Sequence, residues 1–281
     1  MGCRRRGQDA RLASVQTRRA LILDLDYTLL HLEARPDAIE VPGRTRSAYL
    51  AGASAEALAR LRTRHEIILA TARSWHGTHP VVEGLMERGV AVSGVVLEDG
   101  ALLGPPGGYW PLEPERSWPE LRSKLGAMPD LPPFTWQEDF EACLVARSTT
   151  PDEAEALLVQ LRPAVLRLDP TLRCFRDGRK VYLTGALADK WTALETLLGE
   201  RAAGAVGVGD GANDVCWLSR VATPCTLAGA APAVVSLVEE AGGIVSETPG
   251  HAGIGELLWR ISSLSPATER TNDAVVGMNF D

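Results

Sequence analysis

Short apolar runs that stop at an acid or a threonine, separated by segments of helical spacing, constrain this chain more than any other feature. Ala20 to Asp24 reads ALILD, and Glu66 to Ala70 reads EIILA just ahead of Thr71. Runs of that length without polar alternation suit strands buried on both faces of a parallel sheet. Between them Ala57, Leu58 and Leu61 share a helical face within Ser54 to Arg64, which predicts a strand, helix, strand unit. The rhythm continues with a helix near Val81 to Arg88 and a strand near Gly94 to Leu97. It resumes with a helix over Asp189 to Gly199, an apolar run at Ala205 to Val208 and a helix from Asp214. Alternation of this kind predicts a doubly wound, Rossmann-like parallel α/β core.

The middle of the chain breaks the rhythm. After the Gly/Pro-rich stretch Gly104 to Gly108 come proline-broken segments and a strand at Ala142 to Arg147. Thr150-Pro151-Asp152-Glu153 opens a helix with Leu157, Leu158 and Leu161 on one face. Leu172 to Arg176 and Lys180 to Thr184 then flank Asp177-Gly178, a strong hairpin signal. The expected layout is a core over 19–105 and 188–265, an inserted α+β unit with an antiparallel sheet over 106–187, a disordered basic leader over 1–18 and a polar tail over 266–281.

A length of 281 residues suits two domains, and 45% hydrophobic with 23% charged residues excludes wholesale disorder. The net charge of −7 argues against nucleic acid as the main partner. No apolar run approaches the roughly 20 residues that a bilayer crossing needs, so no membrane partner is expected. Five cysteines without a CxxC pair suit free thiols in the reducing cytoplasm.

Candidate chemistry gathers at the predicted strand ends. Asp24 and Asp26 follow the first run, where ligands of open α/β sheets bind. Two acids one residue apart can divide the roles of nucleophile and proton donor, although a strand-end DxD is also what a solvated turn looks like. Thr71 ends the second run, where its hydroxyl and the next backbone N–H, that of Ala72, suit a phosphate oxygen; a helix-capping threonine reads the same way. Lys190 follows Asp189, a helix N-cap candidate, and in isolation such a lysine is commonly solvated. Gly207 to Asp214 (GVGDGAND) is more specific, because it brings Asp210, Asn213 and Asp214 to one sheet edge. Such an acid cluster repels an incoming phosphate unless a cation offsets it, and oxygen donors suit Mg²⁺.

In this order, DLDYT, Thr71, Lys190 and GDGAND resemble the four motifs of the haloacid dehalogenase (HAD) superfamily. The long spacing between Thr71 and Lys190 further resembles its C2-capped members, such as the Cof, mannosyl-3-phosphoglycerate and sucrose phosphate phosphatases. Glu98-Asp99-Gly100-Ala101 is similar to their ENGA segment, with Asp99 in place of Asn. The resemblance implies Asp24 as nucleophile, Asp26 as general acid/base, and Leu25, Thr71, Ala72 and Lys190 around the phosphoryl group. It implies Mg²⁺ held by Asp24, the Asp26 carbonyl and Asp210, with Asn213 and Asp214 in support, and Arg73 near substrate. Position in the inserted cap adds Arg147, Arg176, Arg179 and Lys180 as substrate-reading candidates.

Two departures stand out. Tyr27 occupies a position where glycine is common and is expected to narrow the entrance, and His251 stands where an acid is common and reads as a structural residue, expected at the surface. The expected function is Mg²⁺-dependent hydrolysis of a small phosphorylated metabolite, a sugar or glycosyl phosphate, through an aspartyl-phosphate. A hexose phosphomutase or a catalytically retired binding module are the alternatives, and the presence of every charged motif residue weighs against the latter.

Overall fold

The structure, a computed structural model, describes residues 18–43, 46–114 and 116–264. The tail over 266–281 and, except for Arg18, the leader over 1–18 lie outside these residues, so their expected character is not addressed by it. From the start of the core the elements are β1 (Arg19–Leu23), a hairpin of β2 (Ile39–Val41) and β3 (Ala48–Leu50), α1 (Gly52–Leu61), β4 (His65–Ala70), α2 (Trp75–Glu87), β5 (Val92–Leu97), β6 (Leu102–Gly104) and β7 (Trp110–Pro111). The middle supplies α3 (Trp118–Gly126), β8 (Thr135–Trp136), β9 (Leu144–Arg147), α4 (Pro151–Leu168), β10 (Leu172–Asp177) and β11 (Lys180–Gly185). The core resumes with α5 (Lys190–Leu198), β12 (Val206–Val208), α6 (Val215–Leu218), β13 (Thr223–Thr226), α7 (Pro232–Glu240), β14 (Ile244–Val245) and α8 (Gly250–Ser262).

Eight strands form the large sheet in the order β14-β13-β12-β1-β4-β5-β6-β7. The run from β14 to β5 is parallel and β6 and β7 add antiparallel edge strands. Because β7 belongs to this sheet, the core sheet reaches beyond residue 105, where the inserted unit was expected to start. The chain leaves β1 for β4 on one side and returns to β12 on the other, which makes the end of β1 a topological switch point.

Apolar side chains on both faces explain why β1 has no polar alternation. Leu21 and Leu23 join the cluster under α1, α2 and α8, and Ala20 and Ile22 join the one under α5, α6 and α7. Each fully buried leucine or isoleucine contributes roughly 1.5–3 kcal/mol of transfer free energy, so β1 anchors both layers.

The cap is a second sheet, β10-β11-β9-β8, covered on one face by α4. Thr150 and Glu153 close a reciprocal capping box at the start of α4, and Leu157, Leu161 and Val165 bury against Leu144, Val181 and Leu183. The opposite face carries Val145, Tyr182 and Phe140 and packs on Ala72 of the core. The cap therefore sits directly over the end of β4.

Three local readings change. The helix expected near Val81 starts at Trp75, because Ser74 caps it and His76, Gly77 and His79 in its first turns give no apolar spacing. The helix expected from Asp214 is only the four residues of α6, since Asp214 is held in a 3-10 turn by Gly211. His251 is buried rather than exposed: it bonds to the Glu33 carbonyl at 2.9 Å and packs edge-on against His31 at 4.8 Å between centroids.

This histidine pair has a consequence for acid stability. Burial and the neighbouring His251 lower the pKa of His31 from 6.5 to about 4, so the unfolded chain takes up its proton first. Its contribution is present above 6.5 and is lost as pH falls from there to about 4. Urea unfolding of the wild type and of His31→Gln across that window is expected to show a shallower acid loss in the variant.

Candidate active site

Asp24 continues the β1 ladder by one bond, its N–H donating to Val208 at 2.9 Å, and this fixes its carboxylate at the sheet edge. The chain then curls back, with the N–H groups of Thr28, Leu29 and Leu30 all donating to the Leu25 carbonyl. Tyr27 completes that curl at φ 60°, a left-handed conformation glycine adopts freely and a bulky residue adopts at a cost of order 1–3 kcal/mol. Tyr27 is 55% exposed, and its hydroxyl accepts a bond from Arg46 on the β2–β3 loop at 3.4 Å.

Lys190 lies at the centre of the site. It begins α5 after the N-cap Asp189, which accepts the Thr192 N–H at 3.0 Å. Its Nζ donates to Asp24 Oδ1 and to Asp214 Oδ1, each at 2.7 Å, and its side chain is fully buried. Burial lowers its pKa, but attraction to Asp214, Asp24 and Asp99 outweighs this and holds it well above the usual lysine value. Burial pushes Asp24 well up, Lys190 pulls it down, and the neighbouring Asp214 and Asp210 push it further up.

The β12 loop supplies the remaining acids. Asp214 accepts the Trp217 indole N–H at 2.9 Å on Oδ1 and the N–H groups of Asp210 and Gly211 at 3.0 and 2.9 Å on Oδ2. A side chain on Gly209 would lie 2.7 Å from that same Oδ2, which is why the loop starts with glycine. Asp210 accepts the Thr28 hydroxyl at 2.8 Å, and burial raises its pKa to about 6. Carboxylate oxygens of Asp24, Asp210 and Asp214 can all lie within 4.8 Å of one another. One ammonium among three carboxylates leaves negative charge in excess, and the hard oxygen donors fit a Mg²⁺ ion.

Asp26 is tied to Arg73 by two bonds, at 2.9 and 2.6 Å. Burial raises its pKa, but the Arg73 pair outweighs that and the net shift is downward. Thr71 is buried at the end of β4, and its hydroxyl accepts the Arg73 N–H at 3.2 Å. The backbone N–H groups of Leu25 and Ala72 have no acceptor among the described residues, which leaves donors beside Asp24 for an anion. A cavity of about 710 Å³ opens here, lined by Asp24, Asp26, Thr71, Ala72, Arg73, Asp210 and Asn213 below and by Arg147, Arg179 and Lys180 of the cap above.

Arg176 is the candidate that the structure separates from the rest. Its register opposite Val181 turns it to the α4 face, where it binds Glu155 at 2.8 Å and the Gly178 carbonyl at 2.8 Å. Strand alternation sends alternate residues to opposite faces, so closeness in sequence to Arg179 does not bring it to the cavity.

The Glu98-Asp99-Gly100 turn ties these parts together. Glu98 and Asp99 both adopt left-handed backbone, at φ 52° and 57°. The fully buried Glu98 carboxylate accepts N–H bonds from Glu141 and Ala142 of the cap at 2.8 and 2.9 Å, and the Cys143 thiol at 3.3 Å. Asp99 accepts the Asn213 amide at 3.2 Å, and its N–H donates to the Thr71 carbonyl. Gly100 faces the Asp189 carbonyl so closely that a Cβ would lie 2.3 Å from it. Thr28, Trp217 and Arg46 escaped the sequence reading: the threonine stood within the DLDYT motif, whereas nothing short marks the other two.

No family model and no curated protein matches the chain. Solved structures do. A haloacid dehalogenase-like hydrolase from Bacteroides thetaiotaomicron aligns over 87% of this chain and 99% of its own, with TM-score 0.63 and 17% identity. A HAD subclass IIB sugar phosphatase aligns over 87% and 99%, with TM-score 0.61 and 16% identity. A haloacid dehalogenase-like hydrolase from B. subtilis aligns over 86% and 99%, with TM-score 0.61 and 14% identity. The chain has the fold of the HAD-like hydrolases and phosphotransferases, cap included.

Asp99 gives a direct test of the local electrostatics. Burial raises its pKa from 3.8 to about 6, so ionising it costs stability as pH rises through about 6. Asparagine keeps the acceptor for Asn213 and favours left-handed backbone. Asp99→Asn is expected to be more stable than the wild type above that pH in urea titrations, with the gain fading toward 3.8.

Proposed function

We propose that this protein is a Mg²⁺-dependent phosphatase that hydrolyses a small phosphorylated metabolite, a sugar or glycosyl phosphate, with Asp24 as covalent nucleophile. The observation that carries this reading is the Lys190 ammonium held 2.7 Å from both Asp24 and Asp214 at a sheet switch point, beneath a capped cavity.

Lys190 orients Asp24 by one oxygen and leaves the other directed to chemistry. The phosphoryl group binds the free N–H groups of Leu25 and Ala72, the Thr71 hydroxyl and Lys190, which together neutralise its oxygens. Asp24 attacks phosphorus and forms an aspartyl-phosphate. Arg73 holds Asp26 as a carboxylate, the form that accepts a proton from water in the second half-reaction. For the first half-reaction Asp26 must carry a proton, and an incoming phosphate competes for Arg73 and releases it.

Asp24 and Asp210, with the Asp26 carbonyl, would hold Mg²⁺, which would supply Lewis-acid stabilisation of the transferred oxygens. Asp214 has four donors on its two oxygens and serves to position Lys190 and the loop, and Asn213 acts through Asp99. The cap excludes water from the site. The four described cysteines are free, which suits a cytoplasmic enzyme.

Phosphate release from a panel of phosphorylated metabolites with Mg²⁺ tests the reading. Activity is expected to vanish with EDTA and to fall at least about 10³-fold in Asp24→Asn. Full activity in either case would sink the reading.

A further inference from the structure

We propose that the substrate carries a second anionic group distant from its phosphoryl group, received at the cap end of the cavity by Arg147 with Arg179, Lys180 and Arg46. This rests on the phosphatase reading and names the substrate class of that same site.

The cap hairpin has an arrangement that folding alone disfavours. Arg147 on β9 stands directly opposite Lys180 on β11 in antiparallel register, and both face the cavity. Like charges in directly opposed positions destabilise a sheet. Lys180 is held in place, its Nζ donating to the Tyr182 hydroxyl at 3.3 Å and lying 6.0 Å from the Phe140 ring centroid. Arg147 is half-buried, and its guanidinium has no hydrogen bond or ion pair among the described residues. A half-buried planar fork without an acceptor suits a bidentate anion.

The surroundings keep that end positive. Arg179, at the hairpin turn, uses one nitrogen on the Thr149 carbonyl at 3.3 Å, and Arg46 reaches in from the opposite wall through Tyr27. The acids there are Asp139, which takes the Ser74 hydroxyl at 2.6 Å, and Asp177, which stands opposite Lys180 in register. Among the described residues four cations thus face two acids. The phosphoryl end has its own cations in Lys190 and Arg73, both already paired with carboxylates, so one phosphate does not neutralise both ends.

A carboxylate and a second phosphate share this chemistry, and matched probes distinguish them. Sorbitol 6-phosphate, 6-phosphogluconate and sorbitol 1,6-bisphosphate differ at the distal carbon by a hydroxyl, a carboxylate and a phosphate. The wild type is expected to favour at least one anionic probe over sorbitol 6-phosphate by on the order of tenfold in kcat/KM. Arg147→Ala should collapse that ratio, Arg147→Lys should retain part of it and Arg147→Glu should invert it. The same comparison by calorimetric binding to Asp24→Asn needs no turnover, so absent hydrolysis counts against the phosphatase reading alone. Equal or better use and binding of the neutral probe by the wild type, or a ratio unchanged in Arg147→Ala, would overturn the subsite.

Discussion

The buried ammonium of Lys190 between Asp24 and Asp214 is the interaction on which the rest of the site depends. Taking one cation and two carboxylates out of water is costly, and deleting one partner of such a buried pair typically costs about 3–5 kcal/mol. The surrounding structure accordingly satisfies every remaining lone pair of Asp214, through Trp217 and the N–H groups of Asp210 and Gly211. Those bonds set the path of the loop after β12 and so the place of Asp210. The same lysine is reachable only because α5 begins where Gly100 lets its first turn approach β5's end.

The Glu98 turn extends this dependence to the cap. Its carboxylate grips cap backbone at Glu141 and Ala142, while its own N–H donates to the Arg73 carbonyl. Asp99 reaches Asn213 from the next position. The cap is thereby registered against the loop bearing Thr71 and Arg73 and against the loop bearing Asp210 and Asn213 at once. Two consecutive left-handed non-glycine residues are a costly backbone solution, and the contacts they enable explain why the chain retains it.

Much of this is legible in the amino-acid sequence because strand ends are punctuated by polarity. Asp24, Thr71, Lys190 and Asp210 each follow an apolar run or a helix cap, so order along the chain predicts convergence in space. What stays hidden depends on pairings between distant segments. The β2–β3 hairpin that carries Arg46 has no apolar run long enough to register, and the two-residue β7 follows the expected core boundary too closely to be separated from the cap. Arg176 shows the converse, because only the register of β10 against β11 decides which face of the hairpin a residue occupies. His251 reads as a surface residue until His31, distant in sequence, is placed beside it.

Whether Asp24 forms a bond to phosphorus is the question underneath all of this. The direct measurement is rapid acid quench of the protein mixed with a metabolite that it dephosphorylates in the panel assay, followed by peptide mass spectrometry. A hydroxylamine-sensitive phosphoryl adduct on the peptide carrying Asp24, and absent from Asp24→Asn, is the predicted result. Steady turnover with no adduct at Asp24 at any quench time, or an adduct mapped to another residue, would contradict the account.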